Sequence, residues 1–355
     1  MPFVSDLSQW SRVREFAARL FRRKPPPAGR FVAGRKFSWR GWLAAAPWVW
    51  PARDYLVYVP SGHTRWKRRP LVVLLHGCKQ TPEEFAAGTR IAALADRNGW
   101  LLLLPRQTNR ANPWRCWNWF DRRTSAGEGE AAIVAAQVRA VRREYRVHPR
   151  RIFAAGMSAG GAMAAALGVQ HRKLFAGIFV HSGIACGAAA NSMTALDVLA
   201  HGADAPYERV AAVARDNTPA GARAVALVAV QGESDEVVAS INATQLTRQY
   251  LVLNRRLAPE TLPRDELPAP DAQTTEAFPD GRSMTVAEYR EGERILVRLI
   301  RVAELGHAWS GGDAALPYND PHAPDATGLL GAFVVEQIRF QRASRSRRFA
   351  WLSRG

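Results

Sequence analysis

The sequence predicts an α/β domain built on a mostly parallel central sheet with helices on both faces. Two observations carry that expectation. Short unbroken apolar runs recur along the chain, and stretches of helical length separate them. Runs without polar alternation suit strands buried on both faces, as in a parallel sheet. The composition, 47% hydrophobic and 23% charged, is that of a globular rather than a disordered chain. At 355 residues, one domain with extensions is the natural organisation.

Residues 1–50 stand apart as a basic amphipathic N-terminal extension. Phe3, Leu7, Trp10, Val13, Ala17 and Leu20 recur at helical spacing, with Arg12, Arg19, Arg22, Arg23 and Lys24 on the remaining surface. Pro25, Pro26 and Pro27 end that helix. Such a helix either docks onto an anionic surface or packs on the main domain, which is expected over residues 51–342. There Tyr55–Val59 and Leu71–Leu75 read as strands, and 82–98 as a helix. Trp100–Leu104 reads as a strand, 128–145 as a long helix, Arg151–Ala155 as a strand, and a helix follows Gly160. Leu174–Val180 is a further apolar run, Ala224–Val230 a strand, and 240–251 a helix. Residues 254–283, rich in Pro, Asp and Glu, read as an exposed insertion or cap. Tyr289 to Arg294 then turns into a strand over Ile295–Val302, a helix is expected over Ala326–Phe340, and residues 343–355 form a basic tail. Alternation of this kind implies right-handed β-α-β units.

The 49 basic and 31 acidic residues give a net charge of +18. Such a field attracts nucleic acid, anionic lipid or acidic polymer. Only five of the basic residues are lysine, however, and this Arg- and Ala-rich pattern is equally that of GC-rich coding. No specific nucleic-acid partner is therefore expected, and an anionic surface or granule could engage only the basic termini. No apolar run reaches the roughly 18 residues of a membrane span. Asp6, Arg12, Arg14, Glu15 and Arg19 interrupt what a secretory signal would keep apolar, so a cytoplasmic location is expected. Three cysteines, Cys78, Cys116 and Cys186, allow one disulfide and show no paired zinc-type spacing. Gly127-Glu128-Gly129 lacks the third glycine of a dinucleotide loop, and there is neither a P-loop nor an HExxH pattern. Neither a metal nor a cofactor is expected.

The strongest chemical signal is Gly156-Met157-Ser158-Ala159-Gly160, between an apolar strand and an Ala-rich helix. This is the strand-turn-helix setting of a nucleophile elbow in an α/β-hydrolase fold, where a sharp turn lifts the serine hydroxyl clear of the sheet. A serine hydroxyl needs a base held by a carboxylate, in chain order Ser, acid, His. Asp235, just past the strand ending at Val230, is the expected acid; Glu233 and Asp204 are its rivals. His307, in the glycine-rich loop Leu305-Gly306-His307-Ala308-Trp309-Ser310, is the expected base, with His322 as its rival. His181, His171 and His148 lie on or beside predicted elements and read as structural. His76-Gly77-Cys78 follows the strand Leu71–Leu75, which nominates the backbone N–H groups of Cys78 and Ala159 as an oxyanion hole. Trp114-Arg115-Cys116-Trp117-Asn118-Trp119-Phe120 is an aromatic cluster that lines an acyl groove or covers the core.

In this order, the His-Gly-Cys segment with Thr81-Pro82, the Cys116-Trp117-Asn118-Trp119 cluster, the Ser158 elbow, Asp235 and the His307-Ala308-Trp309 loop resemble the polyhydroxybutyrate (short-chain polyhydroxyalkanoate) depolymerase family of esterases. The resemblance runs from about Tyr55 to Phe340. It implies a serine ester hydrolase acting on hydroxyalkanoate esters, with Ser158, Asp235 and His307 as a triad. It implies Cys78 and Ala159 as oxyanion donors, a Cys78–Cys116 bridge, and Trp117, Trp119 and Trp309 as substrate contacts. Feruloyl, acetylxylan and general short-chain carboxylesterases are similar alternatives. A non-catalytic granule- or polyanion-binding protein on a hydrolase scaffold is an alternative of another class. The signal peptide, linker and polymer-binding domain usual in secreted depolymerases are not recognised here, whereas the resemblance itself implies an extracellular location.

Overall fold

The apolar runs lie side by side in one ten-stranded sheet. The computed structural model describes residues 29–37, 52–219, 221–259 and 261–352, with side chains described as far as 344. The amphipathic helix expected over Phe3–Lys24 lies outside these residues. In chain order the sheet strands are β1 (Arg30–Phe37), β2 (Ala52–Val59), β3 (Arg69–Leu75), β4 (Leu101–Pro105), β5 (Val147–Met157), β6 (Gly177–His181), β7 (Ala226–Gly232), β8 (Ala272–Ala277), β9 (Ser283–Glu291) and β10 (Arg294–Val302). Their spatial order is β1-β2-β4-β3-β5-β6-β7-β10-β9-β8. The six strands from β4 to β10 in that order are parallel. Antiparallel β2 and β1 flank one side, and β9 and β8 the other. A short pair, β11 (Trp309–Ser310) and β12 (Asn319–Asp320), lies apart.

The described helices are α1 (Pro82–Gly88), α2 (Ile91–Asn98), α3 (Arg122–Ser125), α4 (Gly129–Glu144), α5 (Ala159–Gln170), α6 (Ser192–His201), α7 (Tyr207–Asp216), α8 (Ile241–Leu253) and α9 (Ala326–Leu352). Helices α4, α5, α6, α7 and α8 bury their apolar residues on one face of the sheet, and α1, α2 and α9 on the other. The run at β3 shows why no alternation appeared in the sequence. Leu71, Val73 and Leu75 pack on the first face and Val72 and Leu74 on the second, all at most 1% exposed.

Several elements differ from the expectations. The helix expected over 82–98 is two helices, because Arg90 adopts a left-handed backbone (φ 54°) between them. Residues 30–37, assigned by sequence to the N-terminal extension, form edge strand β1. Within the Pro- and acid-rich segment 254–283, residues 272–277 form edge strand β8, paired with β9. Helices α6 and α7 occupy a stretch where the sequence suggested no element. Helix α6 begins at a capping box in which the Asn191 side chain accepts from Met193 and Thr194 N–H groups.

One buried ion pair ties the insertion to this frame. Arg248 on α8 is fully buried; its Nε donates to Glu208 on α7 at 3.0 Å, and its Nη groups donate to the carbonyls of Leu262 and Glu266. Removing one partner of such a pair leaves an uncompensated buried charge. Arg248→Met is therefore expected to cost about 3–5 kcal/mol of stability in urea unfolding. A loss under about 1 kcal/mol would mean that the pair merely breaks even against packing.

Candidate active site

Strand β5 ends and helix α5 begins at Ser158, which adopts φ 57° and ψ −126°. Strain of this kind persists only where the surroundings over-determine it. The flanking glycines allow the turn. A Cβ on Gly156 would lie 2.4 Å from the Gly160 carbonyl oxygen, and one on Gly160 would lie 2.1 Å from that of Leu75. The Ser158 N–H donates to the His181 carbonyl at 3.0 Å, and its carbonyl accepts from Ala162 N–H at 2.9 Å. Its hydroxyl makes no capping bond to α5.

Asp235 stands in the loop after β7 and His307 in the loop after β10, the strand beside it. Asp235 Oδ2 accepts from His307 Nδ1 at 2.9 Å, and Oδ1 lies 3.1 Å from the same nitrogen. Oδ1 also accepts from the N–H groups of Val237 and Val238 at 2.9 and 2.8 Å. Burial by itself would raise the Asp235 pKa. Hydrogen bonds from His307, Val238 and Ser182, with the His307 charge, outweigh it and hold the carboxyl below its ordinary value. The rivals are placed elsewhere. Glu233 and Asp204 are exposed, and His322 is exposed and paired with Asp320 at 2.9 Å.

Sequence reasoning set His181 aside as structural and overlooked Ser182, yet both support this pair. Ser182 follows β6 in a left-handed conformation (φ 49°), and its hydroxyl is one of the groups that favour the ionised Asp235 carboxyl. His181 Nδ1 lies 3.1 Å from Ser182 Oγ, and its ring stacks on Trp309 with centroids 5.3 Å apart. Full burial, together with the His307 charge, pushes the His181 pKa down to about 3, which keeps the ring neutral. A polar His-Ser pair closing an apolar strand was the signal available in the sequence.

The loop after β3 faces the serine; a Cβ on Gly77 would lie 3.6 Å from Ser158 Cβ. Among the described residues, neither the Cys78 nor the Ala159 N–H donates to a protein acceptor. The tryptophan segment braces this loop. Cys78 is disulfide-bonded to Cys116, Lys79 N–H donates to the Trp114 carbonyl, and Trp117 Nε1 donates to the His76 carbonyl at 3.1 Å. His76 Nε2 accepts from Gln107 N–H, so its Nδ1–H faces the Gly77 carbonyl at 2.8 Å. Burial lowers the His76 pKa to about 4 and holds that tautomer neutral. Beneath lies Glu130, buried on α4. It accepts from Asn118 N–H, Asn118 Nδ2 and Gln107 Nε2, and faces Arg53 at 3.8 Å. Burial pushes its pKa up, and Arg53, Gln107 and Asn118 pull it only part of the way back.

This bracing corrects the expected substrate contacts. Trp117, Trp119 and Trp309 are 1%, 6% and 0% exposed, so their rings offer no surface to a ligand. Trp309 packs against Phe85, Phe179 and His181, with its Nε1–H donated to Thr327 at 3.0 Å. The exposed aromatic of the segment is Trp114. The third cysteine, Cys186, is buried, which pushes its thiol up to about 12 and leaves it inert as a nucleophile. No group of three or more His, Cys, Asp or Glu side chains gathers as a metal site among the described residues, and no described helix is long and apolar enough to cross a membrane.

Residues 53–264 match the family model described as esterase PHB depolymerase. The chain belongs to that family. The matched region holds Cys78, Cys116, Ser158 and Asp235, and ends before His307. Among curated members and relatives, poly(3-hydroxyalkanoate) depolymerase C of Paucimonas lemoignei is 27% identical over 195 residues, 54% of this chain and 46% of that one. Feruloyl esterase B of Thermothelomyces thermophilus is 30% identical over 126 residues, covering 36% and 43%. The matches thus span less than half the length of these relatives. The acetyl xylan esterase from Aspergillus awamori superposes with a TM-score of 0.60 at 18% identity, covering 79% of this chain and 94% of that one. That likeness, with the sheet order above, establishes the α/β-hydrolase fold for this family member.

Proposed function

We propose that this PHB depolymerase-family chain is a serine carboxylic ester hydrolase working through an acyl-enzyme. The observation that carries the reading is the pairing of His307 with the buried Asp235 carboxylate at the sheet edge where Ser158 is held in a strained turn. His307 takes the proton of the Ser158 hydroxyl as that oxygen attacks the ester carbonyl. The N–H groups of Cys78 and Ala159 receive the developing oxyanion. His307 then protonates the leaving alcohol, and afterwards activates the water that releases the acid and restores the serine. Asp235 holds the Nδ1–H tautomer and stabilises the imidazolium.

The substrate class proposed is hydroxyalkanoate ester, oligomeric or polymeric, as the names of the Paucimonas lemoignei and Ralstonia pickettii relatives suggest. Feruloyl and acetylxylan esters follow from other relatives. Association with an anionic or granule surface through the basic termini belongs to the same proposal and rests on composition alone.

The test is hydrolysis of p-nitrophenyl butyrate by the full chain and by Ser158→Ala. Turnover by the former and a loss of at least about 10³-fold in the latter are expected. Equal turnover in the two proteins, or none in the folded wild type, overturns the reading. Relative kcat/KM on hydroxybutyrate oligomers, feruloyl esters and acetyl esters then ranks the acyl groups.

A further inference from the structure

The sheet gathers cations at the end of the domain opposite Ser158, Asp235 and His307. Those three residues stand past the C-terminal ends of β5, β7 and β10. At the N-terminal ends, the loop into β3 and the segment into β5 lie side by side, since Arg69 pairs with Val147. Residues 61–69 hold four cations and no acid, and residues 142–151 hold five cations and one acid, Glu144. Arg65, Lys67, Arg68, Arg143, Arg146 and Arg150 are exposed, and none of them pairs with a carboxylate among the described residues. The two segments face a common point: burial, with the charges of Arg151, Arg68 and Arg150, lowers the His148 pKa to about 4. The helix dipole at the end of α4 accounts for Arg142 and Arg143, but not for Arg65, Lys67 and Arg68, which lie in a loop.

Trp66 stands in the middle of this basic loop, 76% exposed, with the Arg65 guanidinium 4.6 Å from its ring centroid. Both basic ends of the chain also join the fold here. Arg30 opens β1 opposite Val59, the last residue of β2 before the loop, so residues 1–28 lead into the domain at this end. Gln341 of α9 donates to the Arg150 carbonyl at 2.8 Å, and α9 continues as helix to Leu352 through Arg345, Arg347 and Arg348. Two segments at opposite ends of the sequence are thus brought to one face, beside residues 61–69.

We propose that this end of the domain docks onto an anionic phospholipid surface, with Arg65, Lys67 and Arg68 at the headgroups and Trp66 at the interface. An anionic leaflet draws clustered Lys and Arg, and tryptophan rings settle at headgroup level. Aromatic rings also stack on nucleic-acid bases. Aliphatic Leu7, Leu20 and Leu352, interleaved with the cations of the two chain ends, have no part in such stacking and fit the acyl boundary of a bilayer. The inference rests on the surface association proposed above and assigns it a face and a lipid. It also fixes an orientation. Eight residues of mostly extended chain, about 26 Å, separate Arg150 from Ser158, so a docked enzyme holds Ser158 away from the lipid.

The test is sedimentation of the full chain with phosphatidylcholine vesicles, with and without phosphatidylglycerol. Sedimentation only with phosphatidylglycerol, weakening as salt rises, is expected. Arg65→Gln, Lys67→Gln and Arg68→Gln combined are expected to lower partitioning about 10²-fold at an unchanged melting temperature. Trp66→Ala is expected to lower it about tenfold. Ser158→Ala should sediment as wild type does, which separates this inference from the esterase reading. Vesicle-bound wild type should hydrolyse p-nitrophenyl butyrate at the rate of the free protein, and a rate lost on docking overturns the orientation. Unchanged partitioning in the triple variant and in Trp66→Ala, while wild type sediments, leaves the surface association standing and overturns this face. Equal sedimentation with pure phosphatidylcholine, or none with either vesicle, overturns the proposal. Tighter retention on single-stranded DNA than on the anionic vesicles overturns it in favour of a nucleic acid.

Discussion

Asp235→Asn is expected to lower kcat by about four orders of magnitude with little change in fold. An amide fits the volume of the carboxylate and can still accept from the Val237 and Val238 N–H groups at Oδ1. What it loses is the second oxygen, 2.9 Å from His307 Nδ1. An amide nitrogen there offers a proton to His307, which favours the tautomer that carries its proton on Nε2. That tautomer cannot take a proton from Ser158. Steady-state kinetics on p-nitrophenyl butyrate beside a thermal melt separates catalysis from folding. Turnover within tenfold of wild type would sink the assignment of Asp235. A second readout follows from linkage. The carboxyl is held below its ordinary value in the folded protein, so its contribution to stability is present above the ordinary pKa of about 3.9 and is lost as pH falls through the lower folded value. The variant should lack that part of the acid sensitivity.

Glu130→Ala is expected to act on both stability and rate. The carboxylate is an acceptor for the backbone and side chain of Asn118 and for Gln107, and it faces Arg53 in the interior. Breaking a buried pair from one side costs about 3–5 kcal/mol. The same change frees the 107–118 segment that holds the His76-Gly77-Cys78 loop through Gln107, Trp117 and the disulfide. A misplaced oxyanion donor of about 1 Å costs on the order of 10²-fold. That loss should fall on kcat and leave KM nearly unchanged, because a group bonding only the transition state is displaced. Glu130→Gln should be milder, since burial already favours a neutral group there and the amide keeps an acceptor. Urea unfolding and the kcat/KM split check both. A stability loss with wild-type kcat would show that Glu130 supports the fold without positioning the loop.

The signals readable in the sequence were those whose chemistry is local. The strained turn at Ser158 was legible because so sharp a strand-to-helix turn demands small neighbours within two residues, and Gly156 and Gly160 stand there. The central strands were legible because double-sided burial removes alternation, as at Leu71–Leu75. The break at Arg90 was missed because an isolated glycine inside a helical pattern, here Gly88, is compatible with an unbroken helix, and the left-handed residue itself is an arginine. The tryptophans misled for a related reason. An aromatic run is compatible with a groove or with a core, and only the position of the β3 loop decides between them. Here the loop needed bracing, so Trp117 turns inward to His76 while Trp114 stays outside.

From the sequence alone came the α/β class with a mostly parallel sheet, the tight turn at Ser158 and the family likeness, because each is carried by short runs and motifs of residues adjacent in the chain. Tertiary structure decided which carboxylate meets His307. Asp235 is 72 residues away along the chain and becomes a neighbour only because β7 and β10 pair in the sheet. It also decided that Glu130 lies beneath the loop after β3, bound through Gln107 and Asn118. Pairing of this kind depends on which surfaces the packed sheet and helices bring together, and no spacing in the sequence encodes it.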